Sequence, residues 1–244
     1  MWEPAIQFSQ SVFRRADPFT EDERRRLRDA ALEYKSIPAY GSLSPDERDR
    51  WKGYLAQELG KPKTEVTPAD WETVNRDWKI PSLIYTALDA GFRPIEIGRS
   101  RTGWLRLDKG TLYIPKEDSS KNRDNWEVVL REETVEILRY WKEQRDAQSK
   151  YDETDALWLT REGNRYTSAS LNYLLDNLCE EADIDQANRR IVWYSIRHST
   201  GTYMAEAGNL PQTKEQLRQK RLESAMQYAH SPPKTRRNTL NDIG

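Results

Sequence analysis

The sequence predicts a mostly helical α+β fold with one small three-stranded antiparallel sheet, and three observations predict it. Capped and periodic stretches typical of helices occupy both halves of the chain. Three short runs rich in β-branched and aromatic residues lie in the middle, at 103–107, 111–115 and 126–130. Nine tryptophans and twelve tyrosines among 244 residues supply apolar surface for a core, although 32% of residues are charged and the mean hydropathy is −0.97.

Capping residues mark the predicted helix starts in the first part of the chain. Thr20 with Glu23, and Ser44 with Glu47, have the spacing of a capping box, in which each side chain accepts a hydrogen bond from the other residue's backbone N–H. Each pair precedes a charged stretch in which residues of opposite charge four apart favour an exposed helix. Residues 1–19 show no such signal, so we expect them to be loosely ordered.

Helices are predicted on both sides of the sheet. Before it, one helix begins at Thr67-Pro68 and an apolar helix ends at Gly91. The turn Asp108-Lys109-Gly110 joins the first two strands, and the polar stretch 117–125 joins the second to the third. After the sheet, periodic patterns predict three more helices, with a short extended segment over 156–167 among them: 132–148, 168–182 and 193–208.

Charge, cysteine content and hydropathy limit the possible functions. The formal net charge of −1 does not favour nucleic acid, but ten basic residues stand against three acidic ones between Arg189 and Arg237. Such a stretch is typical of a phosphate-binding region or of a solvated surface. The only cysteine, Cys179, lies in a helical pattern and is expected in the core. Without a signal-peptide pattern or an apolar run of roughly 20 residues, we expect a soluble cytoplasmic protein that does not associate with membranes.

Common cofactor motifs are missing from the sequence. It contains no GxxxxGK[ST] phosphate-binding loop, no GxGxxG fingerprint, no CxxC and no HExxH. Two histidines, His198 and His230, are too few for a zinc site without carboxylates. We therefore expect no cofactor and no metal. Arg93, Arg197 and Tyr228 remain as candidate functional residues, although each alone is explained as readily by packing.

In combination, these segments resemble the tyrosine recombinase (phage integrase) family, and its archaeal branch in particular, over about residues 67–230. The family pattern Arg-x-x-Glu is matched by Arg93 and Glu96. The family places a lysine in the turn between the second and third strands, where Lys121 stands and Lys116 is the competing candidate.

Two further boxes carry the resemblance, each with one departure. The family's His-x-x-Arg-His-[Ser/Thr] reads Tyr194-x-x-Arg197-His198-Ser199 here. The family has His or Trp nine residues before its nucleophilic tyrosine, whereas Gln219 stands nine residues before Tyr228. Tyrosine and glutamine can donate hydrogen bonds to a phosphate, but neither is a good general base near neutral pH.

The resemblance implies transesterification at a DNA phosphodiester, with Tyr228 attacking phosphorus and holding the 3′ end as a phosphotyrosine. Arg93 and Arg197 would hold the non-bridging oxygens, and Lys121 would protonate the departing 5′ oxygen. Tyr194 and Gln219 would position the phosphate. Two supporting residues complete the implied site. Glu96 would orient Arg93 or tie two helices together, and His198 would lie behind the residues that contact DNA.

The resemblance also implies a division of the chain and its partners. Residues 67–230 would form the catalytic domain, 1–66 a helical segment related to a DNA-clamping domain, and 231–244 a tail that contacts a neighbouring protomer. The expected partners are double-stranded DNA and three further copies in a tetramer. Three alternatives stay open at this point: a related protein that binds DNA without cutting it, a type IB topoisomerase, and an unrelated helical interaction protein.

Overall fold

Both predicted capping boxes begin helices in the computed structural model, which describes residues 15–34, 40–75, 77–119, 124–207 and 210–228. The N–H of Glu23 donates to Thr20 Oγ1 at 3.2 Å, and the N–H of Thr20 donates to Glu23 Oε2 at 2.7 Å. Ser44 and Glu47 repeat the exchange. These boxes satisfy N–H groups that a helix start would otherwise leave without partners.

The described residues form ten α-helices and three strands, which confirms the predicted fold class. The helices of the first half are α1 (Glu21–Glu33), α2 (Pro45–Leu59), α3 (Pro68–Asn75), α4 (Lys79–Ala90) and α5 (Pro94–Arg99). The strands are β1 (Leu105–Arg106), β2 (Thr111–Ile114) and β3 (Trp126–Val129). The helices of the second half are α6 (Glu132–Asp146), α7 (Ser168–Glu181), α8 (Trp193–Glu206), α9 (Leu210–Gln216) and α10 (Leu222–Met226).

The sheet is antiparallel in the order β1-β2-β3, with Leu105 opposite Leu112 and Ile114 opposite Trp126. Gln216, at the end of α9, extends the open edge of β3. The N–H of Val129 donates to Gln216 Oε1 at 3.1 Å, and Gln216 Nε2 donates to the carbonyl of Val129 at 2.7 Å. One amide side chain thus takes the place of a fourth strand and joins the sheet to the C-terminal helices.

Besides a small hydrophobic cluster of Ala205, Leu217 and Tyr228, the described chain has two larger ones. The larger runs from α1 through α4, the sheet, α6 and α7 to α8, and it buries the predicted core residue Cys179 completely. The smaller contains Leu55, Val66 and Trp71, on and between α2 and α3. The predicted domain boundary between residues 66 and 67 passes through this cluster, between Val66 and Trp71, and stays a prediction.

Helices α5, α9 and α10 were not predicted, because five to seven residues are too few to show a helical period. They border three predicted site residues, because α5 follows Arg93, α9 precedes Gln219 and α10 precedes Tyr228. None of the helices in the described part of the chain combines the length and apolar character needed to cross a membrane.

Candidate active site

Arg93 lies where the chain leaves the buried helix α4 and begins α5. Gly91 ends α4 in the left-handed region with φ 56°, and Arg93 is the N-cap of α5. The N–H of Arg93 donates to Glu96 Oε2 at 2.7 Å, and its Nη1 donates to Glu96 Oε1 at 3.0 Å. Because the two residues are three apart at a helix start, local geometry brings the carboxylate to the arginine.

Arg197 lies on the buried face of α8, with only 3% of its surface exposed. Its Nη1 donates to the carbonyl of Gly91 at 2.7 Å, and its Nη2 donates to the carbonyl of Leu217. Burial, followed by the charges of Arg218 and Arg93, lowers the pKa of Arg197 to about 10. The side chain is therefore still a cation at neutral pH, and it joins the end of α4 to the turn after α9.

Arg218, which the sequence interpretation did not include, is the third cation of the site. It is 2% exposed, and its backbone has φ 53°. Its Nε donates to Glu96 Oε1 at 3.1 Å and its Nη2 donates to Glu96 Oε2 at 2.8 Å, so the two side chains form a bidentate ion pair. Among ten basic residues between Arg189 and Arg237, nothing in the sequence distinguishes this one except its place beside Gln219.

Glu96 is the carboxylate that Arg93 and Arg218 share, and it is 2% exposed. Burial would raise the pKa of Glu96, but Arg218, then Arg93 and Arg197, outweigh that effect and lower the pKa to about 2. These four side chains therefore hold three positive charges and one negative charge in a buried space. The excess of positive charge favours the binding of an additional anion, because charges removed from water interact with one another more strongly than exposed charges do.

Tyr228 follows α10 and packs against α8, with 5% of its surface exposed. Its ring meets the His198 ring edge to face, with centroids 5.6 Å apart. On α8, Gly201 leaves room for the same ring, because an added Cβ would lie 2.8 Å from two Tyr228 ring atoms. Tyr228 also acts electrostatically on Arg197, where it opposes the lowering of the arginine's pKa. The predicted nucleophile thus lies beside the helix that carries the buried cation.

His198 and Gln219 complete the buried part of the site. Burial, followed by the charges of Arg197 and Arg15, lowers the pKa of His198, so its imidazole is neutral at neutral pH. Gln219 is 7% exposed, and no described residue donates to its Oε1. A buried amide oxygen without a partner is uncommon and often marks a place where a ligand or water binds.

The remaining predicted residues lie at the rim or outside the description. Tyr194, in the first turn of α8, is 43% exposed. Lys116 is exposed, with its Nζ 3.9 Å from Glu117 Oε1. Lys121 lies outside the described residues. Among the residues that are described, no group of three or more His, Cys, Asp and Glu side chains could hold a metal ion.

Known proteins resemble this chain in sequence family and in fold. The model of the phage integrase family matches residues 72–235. Among solved structures, XerA recombinase is similar with a TM-score of 0.59 and 16% identity, over 91% of this chain and 90% of that one. A XerH site-specific recombinase bound to palindromic difH substrate, in a post-cleavage complex, also has a TM-score of 0.59 and 16% identity.

The coverage of the longer relatives is partial. The chain aligns over 95% of its own length with XerH but spans only 54% of that protein. A lambda integrase (75–356) dimer bound to a COC′ core site has a TM-score of 0.52 and 14% identity, over 90% of this chain and 61% of that one. No curated protein sequence matches. The match of the family model, over more than half of the chain, shows that this protein belongs to the phage integrase family.

Proposed function

We propose that the chain is a site-specific tyrosine recombinase that cuts and rejoins double-stranded DNA through a 3′-phosphotyrosine at Tyr228. The observation that carries the proposal is the group of two buried arginines, the partly buried Arg93 and one buried carboxylate beside that tyrosine. Such a group would bind a phosphodiester, whose transition state gains negative charge on its non-bridging oxygens. Family membership and the recombinase fold support the same reaction.

In the proposed reaction, the Tyr228 oxygen gives its proton to water and forms a bond to the scissile phosphorus, while the bond from phosphorus to the 5′ oxygen breaks. The departing 5′ oxygen takes a proton, for which Lys121 is the proposed donor. Arg93 and Arg197 hold the two non-bridging oxygens, and Gln219 and Tyr194 position the phosphate. Attack by a 5′ hydroxyl of a partner strand then reverses the step and releases Tyr228, so no energy-supplying cofactor is consumed.

The finer parts of the proposal concern assembly and origin. We propose a homotetramer on DNA, action in the cytoplasm, and a place in the archaeal branch of the family. The tail over 231–244, predicted to contact a neighbouring protomer, lies outside the described residues. The predicted clamp segment over 1–66 includes α1, which packs into the larger hydrophobic cluster of the catalytic region.

Covalent trapping tests the proposal. The protein is mixed with nicked suicide duplexes from the genomic flanks of its own gene, denatured, and examined for a DNA-linked band. We expect a band for the wild type, none for Tyr228→Phe, and an unchanged band for the control Tyr173→Phe, whose ring is 70% exposed on α7. DNA binding is measured beside it at low salt, because binding through phosphates weakens as salt rises.

Each alternative has its own outcome in this test. Binding without an adduct would select a related protein that does not cut, in keeping with the departures at Tyr194 and Gln219 from the family pattern. An adduct together with relaxation of supercoiled plasmid, but without exchange between two sites, would select a type IB topoisomerase. Failure to bind any duplex at low salt would indicate an interaction protein in which Tyr228 only packs.

A further inference from the structure

Arg218 uses its whole guanidinium group inside the protein. The guanidinium nitrogen atoms of Arg218 donate five hydrogen bonds, two of them to Glu96. The other three reach backbone carbonyls, of Ala90 at 2.8 Å, Gln216 at 2.7 Å and Gly91 at 3.2 Å. A guanidinium has five N–H groups, so none is left to contact a phosphate. Arg218 therefore has a different role from Arg93 and Arg197.

The partners of Arg218 belong to the two segments that carry predicted phosphate contacts. Ala90 and Gly91 end α4, immediately before the turn to Arg93, and Glu96 holds Arg93 directly. Arg218 itself is the neighbour of Gln219, in a turn that starts at the last residue of α9. Its φ of 53° is an uncommon conformation for a residue with a side chain, and such conformations persist where surrounding contacts fix them.

Arg93 and Arg218 share the Glu96 carboxylate in different ways. Arg218 donates to both carboxylate oxygens, whereas the Arg93 side chain donates to Oε1 through Nη1. Without Arg218, the buried Glu96 carboxylate would lose its bidentate partner and would draw Arg93 into a bidentate pair instead. Arg93 would then turn inward and away from the space in which Arg197 and Gln219 meet a ligand.

We propose that Arg218 is a positioning residue that acts through Glu96, setting the direction of Arg93 and the turn that carries Gln219. This inference rests on the proposed recombinase function. It predicts that Arg218 affects the chemical step at bound DNA more than it affects DNA binding.

Arg145 provides a matched control for loss of a buried arginine. It lies on α6, is 5% exposed, and donates to the carbonyls of Ala156 and Thr154 at 2.8 and 2.7 Å. Its partners are backbone carbonyls outside the site and the neighbouring Asp146. Arg145→Met should therefore lower stability, as Arg218→Met does, without changing the cleavage rate of the molecules that fold.

The test measures single-turnover adduct formation at saturating suicide duplex, with the folded fraction of each variant taken from thermal melts. Arg218→Met should slow adduct formation by about 100-fold, the size expected from a small misplacement of a contact group. Apparent DNA affinity should change by less than about threefold, since Arg218 makes no phosphate contact. Arg218→Lys, which keeps the charge but loses the planar fork, should have an intermediate rate and provides a variant with a smaller folding defect.

A double-mutant cycle decides whether Arg218 acts through Glu96. Glu96→Gln should slow adduct formation by itself, and the combination with Arg218→Met should be no slower than about the slower single variant. A double variant whose loss of rate equals the product of the two single losses would overturn the inference. So would a wild-type rate in Arg218→Met, or an equal loss of rate per folded molecule in Arg145→Met.

A titration that needs no cleavage separates this inference from the proposed function. The Glu96 carboxyl group, followed by NMR at its carboxyl carbon, should titrate at higher pH in Arg218→Met than in the wild type. The reason is that Arg218 has the largest effect among the positive charges that lower the pKa of Glu96. A wild type that binds DNA without forming an adduct would defeat the proposed function alone. An unchanged Glu96 titration would defeat the link from Arg218 to Glu96, whatever the cleavage result.

Discussion

The buried cations of the candidate site and the tyrosine at its rim differ in what holds them in place. Arg197 is 3% exposed and is fixed by two backbone carbonyls from segments far apart in the chain. Tyr194 lies three residues earlier on the same helix and is 43% exposed. Both are proposed to contact one phosphate. The protein alone orients the arginine, whereas the direction of the exposed tyrosine depends more on the bound substrate.

The difference indicates which side chains would stabilise a bound phosphate most. Removing guanidinium groups from water is costly, and here backbone carbonyls and Glu96 offset that cost before any substrate binds. A phosphate entering the cluster would meet charges that are already oriented, so little reorganisation would accompany the transition state. An exposed hydroxyl is screened by water and contributes less.

The largest effect is expected from Arg197→Lys. Lysine keeps one charge but cannot donate to two carbonyls and a phosphate with a planar fork. Adduct formation should fall by about 100- to 1000-fold, the usual cost of losing one donor to a developing anion. The single-turnover trapping assay measures this, with Arg139→Lys, an exposed arginine on α6, as control. A loss of less than tenfold would show that the buried cluster is not the main phosphate contact.

Gly201→Ala tests the surface on which Tyr228 packs. The new methyl group would lie 2.8 Å from Tyr228 ring atoms and 2.9 Å from Leu217 Cδ1, so neighbours must move. Unfolding free energy should drop by about 1–3 kcal/mol, as in other overpacked cores. Adduct formation should fall as well, because both the nucleophile and the Leu217 turn shift.

Gly53→Ala is the matched control for that change. Gly53 lies within α2, as Gly201 lies within α8, and an added Cβ at Gly53 would meet nothing within 4 Å. Alanine there should stabilise the helix by up to about 1 kcal/mol and leave cleavage unchanged. Equal behaviour of the two variants in chemical denaturation would contradict the close packing of Tyr228 on α8.

Local signals explain what the sequence could predict. The boxes at Thr20 and Ser44 each involve residues three apart, so spacing alone indicates the contact. The contact between Arg93 and Glu96 was implied by the family resemblance. Short runs rich in β-branched and aromatic residues, separated by turn residues, likewise predicted the sheet that the structure confirms.

Distant contacts explain what the sequence could not predict. Arg218 and Glu96 are 122 residues apart, and Arg197 reaches a carbonyl 106 residues away. Nothing in a single sequence pairs such residues, and a buried arginine looks like any exposed one in a basic stretch. For the same reason, the structural role of Gln216, which closes the edge of β3, was not predicted.

The smallest effect is expected from Tyr194→Phe, which removes one hydroxyl at the exposed end of α8. The rate of adduct formation should fall by less than about tenfold, since one exposed hydrogen bond is worth about 0.5–1.5 kcal/mol. Stability in a thermal melt should be unchanged. A loss of rate as large as that of Arg197→Lys would remove the distinction between the buried arginines and the exposed Tyr194. It would mean that bound DNA draws Tyr194 in among the buried side chains. Phosphate contact by a tyrosine in place of the family's histidine would then be as important as the arginines.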